Sequence, residues 1–91
     1  MFFAHQFPHG KFFATPGVLE QVSERDRNNG LFRHLQGDWG DLCEEDKRRN
    51  EQALHCGDRL FSAYCSCEGV KFWIITEADR SATTILLPEE Y

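Results

Sequence analysis

The stretch that decides the fold is Arg59–Tyr91, RLFSAYCSCEGVKFWIITEADRSATTILLPEEY. It holds three short apolar runs, LFSAY, VKFWIIT and TTILLP, separated by two polar breaks. β-Branched and aromatic side chains crowd it (Phe61, Tyr64, Val70, Phe72, Trp73, Ile74, Ile75, Thr76, Thr83, Thr84, Ile85), the composition that a pleated, half-buried surface favours. Cys67-Glu68-Gly69 reads as a short glycine-bearing hairpin loop, and Ala78-Asp79-Arg80-Ser81 as a second turn. A three-stranded antiparallel meander follows, with the rest of the chain supplying a layer to cover one of its faces.

Upstream of the meander the signals are helical. Thr15-Pro16-Gly17 is a helix start, with Thr at the N-cap and Pro where its missing N–H costs nothing. Val18, Leu19 and Val22 give an apolar stripe that dies in SERDRNNG, where Asn28, Asn29 and Gly30 read as a break. Leu31, Phe32 and Leu35 make a second short helical pattern, closed by Gly37. Asp41-Leu42-Cys43-Glu44 has capping-box spacing with Asp41 as the cap. The helix it opens runs through EEDKRRNEQALH to Gly57, with Glu44–Arg48 and Glu45–Arg49 as i,i+4 ion pairs. Lys11–Ala14 is a further short strand, and residues 1–10 form a loose N-terminal arm. Phe12 and Phe13 are assigned to the core; Phe2, Phe3 and Phe7 are core or partner-seeking surface. The expected architecture is one α+β domain over residues 1–91, a two-layer β-α-α-α-β-β-β order with two or three short helices on a mainly antiparallel sheet of three to four strands.

Charge and cysteine usage narrow the function classes. Fifteen acidic against ten basic side chains give a net charge of −5. Nucleic-acid binders carry the opposite balance, because Lys and Arg must neutralise phosphates, so no direct nucleic-acid partner is expected. No run reaches the roughly 20 apolar residues that span a bilayer. MFFAHQFPHGK lacks the pattern of a signal peptide, so a cytoplasmic location is expected and no membrane partner. Cys43, Cys56, Cys65 and Cys67 hold one C-x-C and no paired knuckle, so they read as reduced, partly buried thiols. No metal and no cofactor are expected.

No phosphate loop, nucleophile elbow or His-Glu-x-x-His pattern occurs, and the chain is read as a non-enzyme without catalytic residues. His34 reads as a helix-surface histidine. Two stretches stand out as candidate partner-binding surface. From His34 to Asp46 there is no Lys or Arg, while Asp38, Asp41, Glu44, Glu45 and Asp46 are acidic, and Gly37-Asp38-Trp39-Gly40 is a tight turn whose indole plugs the edge of the core or, less often at such a turn, meets a ligand or partner. Charge of this kind either lies solvated or meets a basic groove on another protein. The second stretch is Glu77, Asp79, Arg80 and Ser81, a turn that either binds an anion or a protein, or satisfies its own backbone.

ATPGVLE, RHLQGDWGDL, NEQAL, RLFSAY and WIITEADRSATTILLPEEY resemble a family of small bacterial proteins of plasmids and integrated mobile elements. The likeness covers about residues 12–91. Members often carry the label of a type I restriction endonuclease subunit M, yet a methyltransferase subunit needs a cofactor domain and an Asn/Asp-Pro-Pro-aromatic loop that this chain lacks. The resemblance implies an accessory protein of a mobile genetic element, one that binds another protein such as a host defence nuclease (anti-CRISPR or anti-restriction). Two alternatives remain at this stage: a small ribonuclease toxin using Arg33, Arg48, Arg49 and Arg80, and a homodimer of structural role built on an exposed strand edge.

Overall fold

A computed structural model describes residues 6–91. The chain runs β1 (Lys11–Ala14), α1 (Pro16–Gln21), α2 (Glu24–Leu35), α3 (Glu44–Cys56), β2 (Leu60–Cys65), β3 (Lys71–Thr76) and β4 (Ala82–Leu86), then a 3-10 turn over Pro88–Glu90. The sheet order is β1-β4-β3-β2. β2, β3 and β4 form the antiparallel meander, and β1 returns parallel to β4 with Phe13 opposite Thr84. This is an α+β fold in the expected element order, and no described helix is long and apolar enough to cross a membrane.

Alternation along the strands decides which side chains meet the helices. Leu60, Ser62 and Tyr64, Phe72, Ile74 and Thr76, and Thr83 and Ile85 are buried on the helical side. Val18 and Val22 join Tyr64, Phe72, Ile74 and Ile85 in one core cluster, while Phe7, Leu35, Trp39, Ala53 and Leu60 form a second.

Several local expectations hold. Thr15 Oγ1 accepts from the Val18 N–H at 3.4 Å with Pro16 opening α1. Gly57 closes α3 in the left-handed conformation, its N–H donating to the Ala53 carbonyl at 3.0 Å. The hairpin loop is fastened by Ser66, whose Oγ accepts from the N–H groups of Glu68 and Val70.

Others are corrected. Asn28-Asn29-Gly30 does not break the chain: α2 runs unbroken through it, started by Ser23, whose Oγ accepts from the Asp26 N–H. Gly30 is there for packing, because a Cβ on it would stand 2.8 Å from Phe72 Cε2. Asp41 is not the cap of α3; Cys43 holds that position, and the Asp41 N–H donates instead to the Ala63 carbonyl at 2.7 Å. Glu44 lies 3.9 Å from Lys47 rather than pairing with Arg48, whereas the Glu45–Arg49 pair forms at 3.3 Å.

The aromatic assignments invert. Phe12 and Phe13 are 47% and 53% exposed on the edge strand, while Phe7 is buried against His34 and Trp39. Phe7 and the Gln6 N–H, which donates to the Leu35 carbonyl at 2.9 Å, anchor residues 6–10, which are therefore no loose arm. The readings placed on Phe2 and Phe3 lie outside the described residues. All four cysteines are free and exposed, not partly buried.

Candidate functional site

His34 is no surface residue: it is fully buried, and a chain of hydrogen bonds runs through it. Thr83 Oγ1 donates to the His9 carbonyl at 2.8 Å, so its oxygen accepts from Thr76, 2.8 Å away. Thr76 Oγ1 in turn accepts from His34 Nε2 at 2.9 Å, which leaves Nδ1 to accept from the Ser62 hydroxyl at 2.5 Å. One proton per hydroxyl fixes this order from Thr83 to Nε2, and a neutral imidazole completes it at Nδ1. Burial pushes the His34 pKa down to about 3. Ser62 and His34 have the contact of a nucleophile and its base, but both are sealed from solvent, so no substrate reaches them.

The acidic stretch is only partly free. Asp38 receives Arg33 through Nε at 2.8 Å and Nη2 at 3.2 Å, and that guanidinium, ahead of the Gly40 N–H, holds its carboxyl below the usual range. Trp39 is 3% exposed, its Nε1 donating to Glu51 at 2.8 Å, so the indole offers no surface to a partner. Trp39 is the plug of the core edge that the tight turn also allowed, and its place among the partner-binding residues is corrected. Asp41, Glu44 and Glu45 remain exposed at the start of α3.

The turn after β3 satisfies itself. Asp79 Oδ1 accepts from the Ser81 N–H at 3.0 Å, and contact with Ser81 lowers the Asp79 pKa. Arg80, in a left-handed conformation at φ 62°, folds back over the end of α3. Its Nη1 donates to the carbonyls of Asp58 (2.6 Å), Glu77 (3.2 Å) and Ala78 (3.4 Å), and its Nη2 to that of Ala53 at 3.0 Å. A cation against the last turn of a helix meets the negative end of the dipole, and here it shares the Ala53 carbonyl with the Gly57 N–H. Arg80→Ala is expected to lower stability by roughly 2 kcal/mol, with Arg80→Lys giving little rescue because an ammonium cannot span four acceptors. Chemical denaturation checks it; a change under 0.5 kcal/mol would remove this clamp from the account. Of the turn, Glu77 and Ser81 are exposed. The two candidate stretches are not brought together: they flank opposite ends of α3, roughly 13 Å apart between residues 44 and 53 at 1.5 Å per residue.

What the structure does assemble is the sheet face turned away from the helices. Phe61 and Trp73 meet edge to face at 4.9 Å, and Trp73 meets Tyr91 at 5.8 Å. The Arg59 guanidinium lies 5.3 Å over the Tyr91 ring and also hydrogen-bonds the Tyr91 hydroxyl. These side chains and Ile75 line a depression of about 220 Å³. Glu90 carries the chain to this position: Oε1 accepts from Thr15 Oγ1 at 2.5 Å and from the Leu87 N–H at 3.0 Å, and Oε2 accepts from the Gly17 N–H at 2.9 Å. The contact with Thr15 leads those that lower the Glu90 pKa. Two neighbouring depressions extend the surface. One reaches Asp41 and Lys71 beside Trp73, the other Asp46 and Arg49 beside Phe61. The aromatic centre and the acidic start of α3 therefore belong to one continuous surface.

The sequence reading missed this centre, because VKFWIIT is apolar on both faces and its alternation does not say which face is covered. A larger depression, about 430 Å³ between α2 and the β2–β3 hairpin, is less suited to a ligand. Its charged groups are already engaged, Asp26 with the Cys67 N–H at 3.1 Å and Arg33 with Asp38. Among the described residues no three His, Cys, Asp or Glu side chains converge for a metal. No protein-family model matches the chain, nor does any curated protein or solved structure.

Proposed function

We propose that this chain is a non-enzymatic binding protein of a mobile genetic element, acting in the cytoplasm on another protein, a nuclease of host defence being the reading that its sequence resemblance favours. The observation that carries the binding role is the cluster of Phe61, Trp73, Tyr91 and Arg59 on the uncovered sheet face. Aromatic and arginine side chains dominate the centres of protein interfaces, with charged residues at the rim. Here Asp41 and Asp46 border the cluster beside Lys71 and Arg49, and Glu44 and Glu45 lie exposed at the same end of α3, an acidic approach that suits a partner whose nucleic-acid groove is basic. A ribonuclease toxin is less well supported, since Arg33, Arg49 and Arg80 are engaged with Asp38, Glu45 and backbone carbonyls.

The test is affinity purification of the tagged protein from its native host, beside two variants checked for folding by circular dichroism. Trp73→Ala removes a central ring and is expected to lower partner affinity at least tenfold, or about 1.4 kcal/mol. Asp41, Glu44 and Glu45 reversed to Lys should slow association and weaken its salt dependence. Equal recovery of the partner by wild type and both variants would sink the assigned surface. Ribosomes or RNA in the eluate would instead move the toxin reading to the front.

A further inference from the structure

The two edges of the sheet are treated differently by the fold. At β2 the outward backbone groups of Phe61 and Ala63 have partners. Asn50 Nδ2 donates to the Phe61 carbonyl at 2.6 Å while its Oδ1 accepts from the Phe61 N–H at 3.1 Å, so a buried amide stands in for a neighbouring strand. Next along, the Ala63 N–H donates to the Trp39 carbonyl at 3.2 Å and the Ala63 carbonyl accepts from Asp41. The β1 edge has no such cover among the described residues. The N–H groups of Lys11 and Thr15 point to β4, donating to the carbonyls of Ser81 and Ile85 at 3.0 Å each. By alternation Phe13 does the same, and the N–H and C=O of Phe12 and Ala14 point outward.

We infer that this edge pairs with β1 of a second copy of the chain, antiparallel across a two-fold axis normal to the sheet, giving a continuous eight-stranded sheet. The backbone dictates the register. Phe12 opposite Ala14 of the second copy, repeated by symmetry, makes four hydrogen bonds and uses every outward group of β1. Phe13 then falls opposite Phe13 of the second copy as a pair without mutual hydrogen bonds, with Cβ atoms roughly 5 Å apart. Side chains agree with this register. On the helical face bulky Phe12 lies beside small Ala14, and on the other face the two Phe13 rings meet. These are the two rings that the single chain leaves about half exposed. Lys11 goes to the two ends of the junction, so no like charges oppose one another. Four-residue strands bury little area, which makes the pairing weak and concentration-dependent. The inference is independent of the partner proposed above, but it would set two copies of the aromatic face side by side and make binding bivalent.

Sedimentation velocity on the full chain, from about 10 µM to about 1 mM, tests it. A monomer–dimer equilibrium is expected in the wild type. Phe13→Lys sets two ammonium groups against each other at the axis and should raise the dissociation constant at least tenfold. Ala14→Pro removes an outward N–H without touching the β4 ladder and should do the same. Loss of the dimer in Phe13→Lys, with the circular dichroism of the fold retained, supports the pairing. A wild type that is monomeric throughout, or a dimer unaffected by Phe13→Lys, overturns it, and a monomer leaves the edge to a strand from another protein.

Discussion

On acidification from pH 7.5 to pH 4.5 the protein is expected to lose roughly 2–3 kcal/mol of folding stability through His34 alone. The sign follows from which state holds the proton. Unfolded, the imidazole titrates near its ordinary 6.5; folded, burial has pushed it down to about 3. Between those values the unfolded chain binds a proton that the folded chain refuses, so stability rises with pH and falls as acid is added. The hydrogen-bond chain explains the refusal structurally. A proton on Nδ1 would face Ser62, whose hydroxyl hydrogen already points at that nitrogen, and both groups are sealed from water. The carboxyls held low by their partners (Asp26, Asp38, Asp79 and Glu90) act in the other window. Their stabilising contributions are complete above their unfolded values near 4 and are lost only below, so the span from 6.5 to 4.5 belongs to His34. Thermal melts should show the midpoint falling by on the order of 10–20 °C across it. His34→Gln preserves one acceptor and one donor but no titration, and should flatten this dependence. An unchanged pH profile in that variant would show that His34 is not the group responsible.

Gly40→Ala should be strongly damaging for the addition of a single methyl, costing roughly 3–5 kcal/mol. Gly40 sits at φ 76°, a region that costs a side chain about 1–2 kcal/mol on its own. The larger part is steric: a Cβ there would lie 2.0 Å from the Ala63 carbonyl oxygen and 2.7 Å from Tyr64 Cδ1. Relief requires the 39–41 segment to leave the β2 edge, breaking the bonds between Trp39, Asp41 and Ala63 and loosening Trp39 from the core. Gly57→Ala is the control. It shares the same φ of 76°, yet nothing lies within 4 Å of the new methyl, so only the conformational cost of about 1 kcal/mol remains. Urea denaturation of the pair separates the two contributions. Equal losses would mean that the close approach to β2 is not what requires glycine at position 40.

Both predictions rest on groups whose roles were not legible in the sequence, and the reason is the same in each case. His34 reads as a surface residue from its helix, because the two strand hydroxyls that receive it lie 28 and 42 positions away. Arg80 reads as a free charge in a polar turn, yet beside two carbonyls of its own turn it reaches those of Ala53 in α3 and Asp58 just after it. Gly30 reads as a helix breaker until Phe72 is seen against it. Trp73 and Phe61 were visible as strand residues, but not as the half-buried centre of the face turned away from the helices.

The sequence by itself determined the features whose physics is local. The three-stranded meander, the hairpin loops, the Thr15-Pro16 start of α1 and the Gly57 stop of α3 depend on side-chain alternation, on a missing N–H and on a left-handed residue. Each is decided within a few positions. Only the tertiary structure decided which sheet face the helices cover, that β1 lies parallel to β4 with an open edge, and that the acidic start of α3 borders an aromatic surface. Those outcomes turn on contacts between residues far apart in the chain. A strand apolar on both faces, such as VKFWIIT, carries no local mark of which face will be left in water.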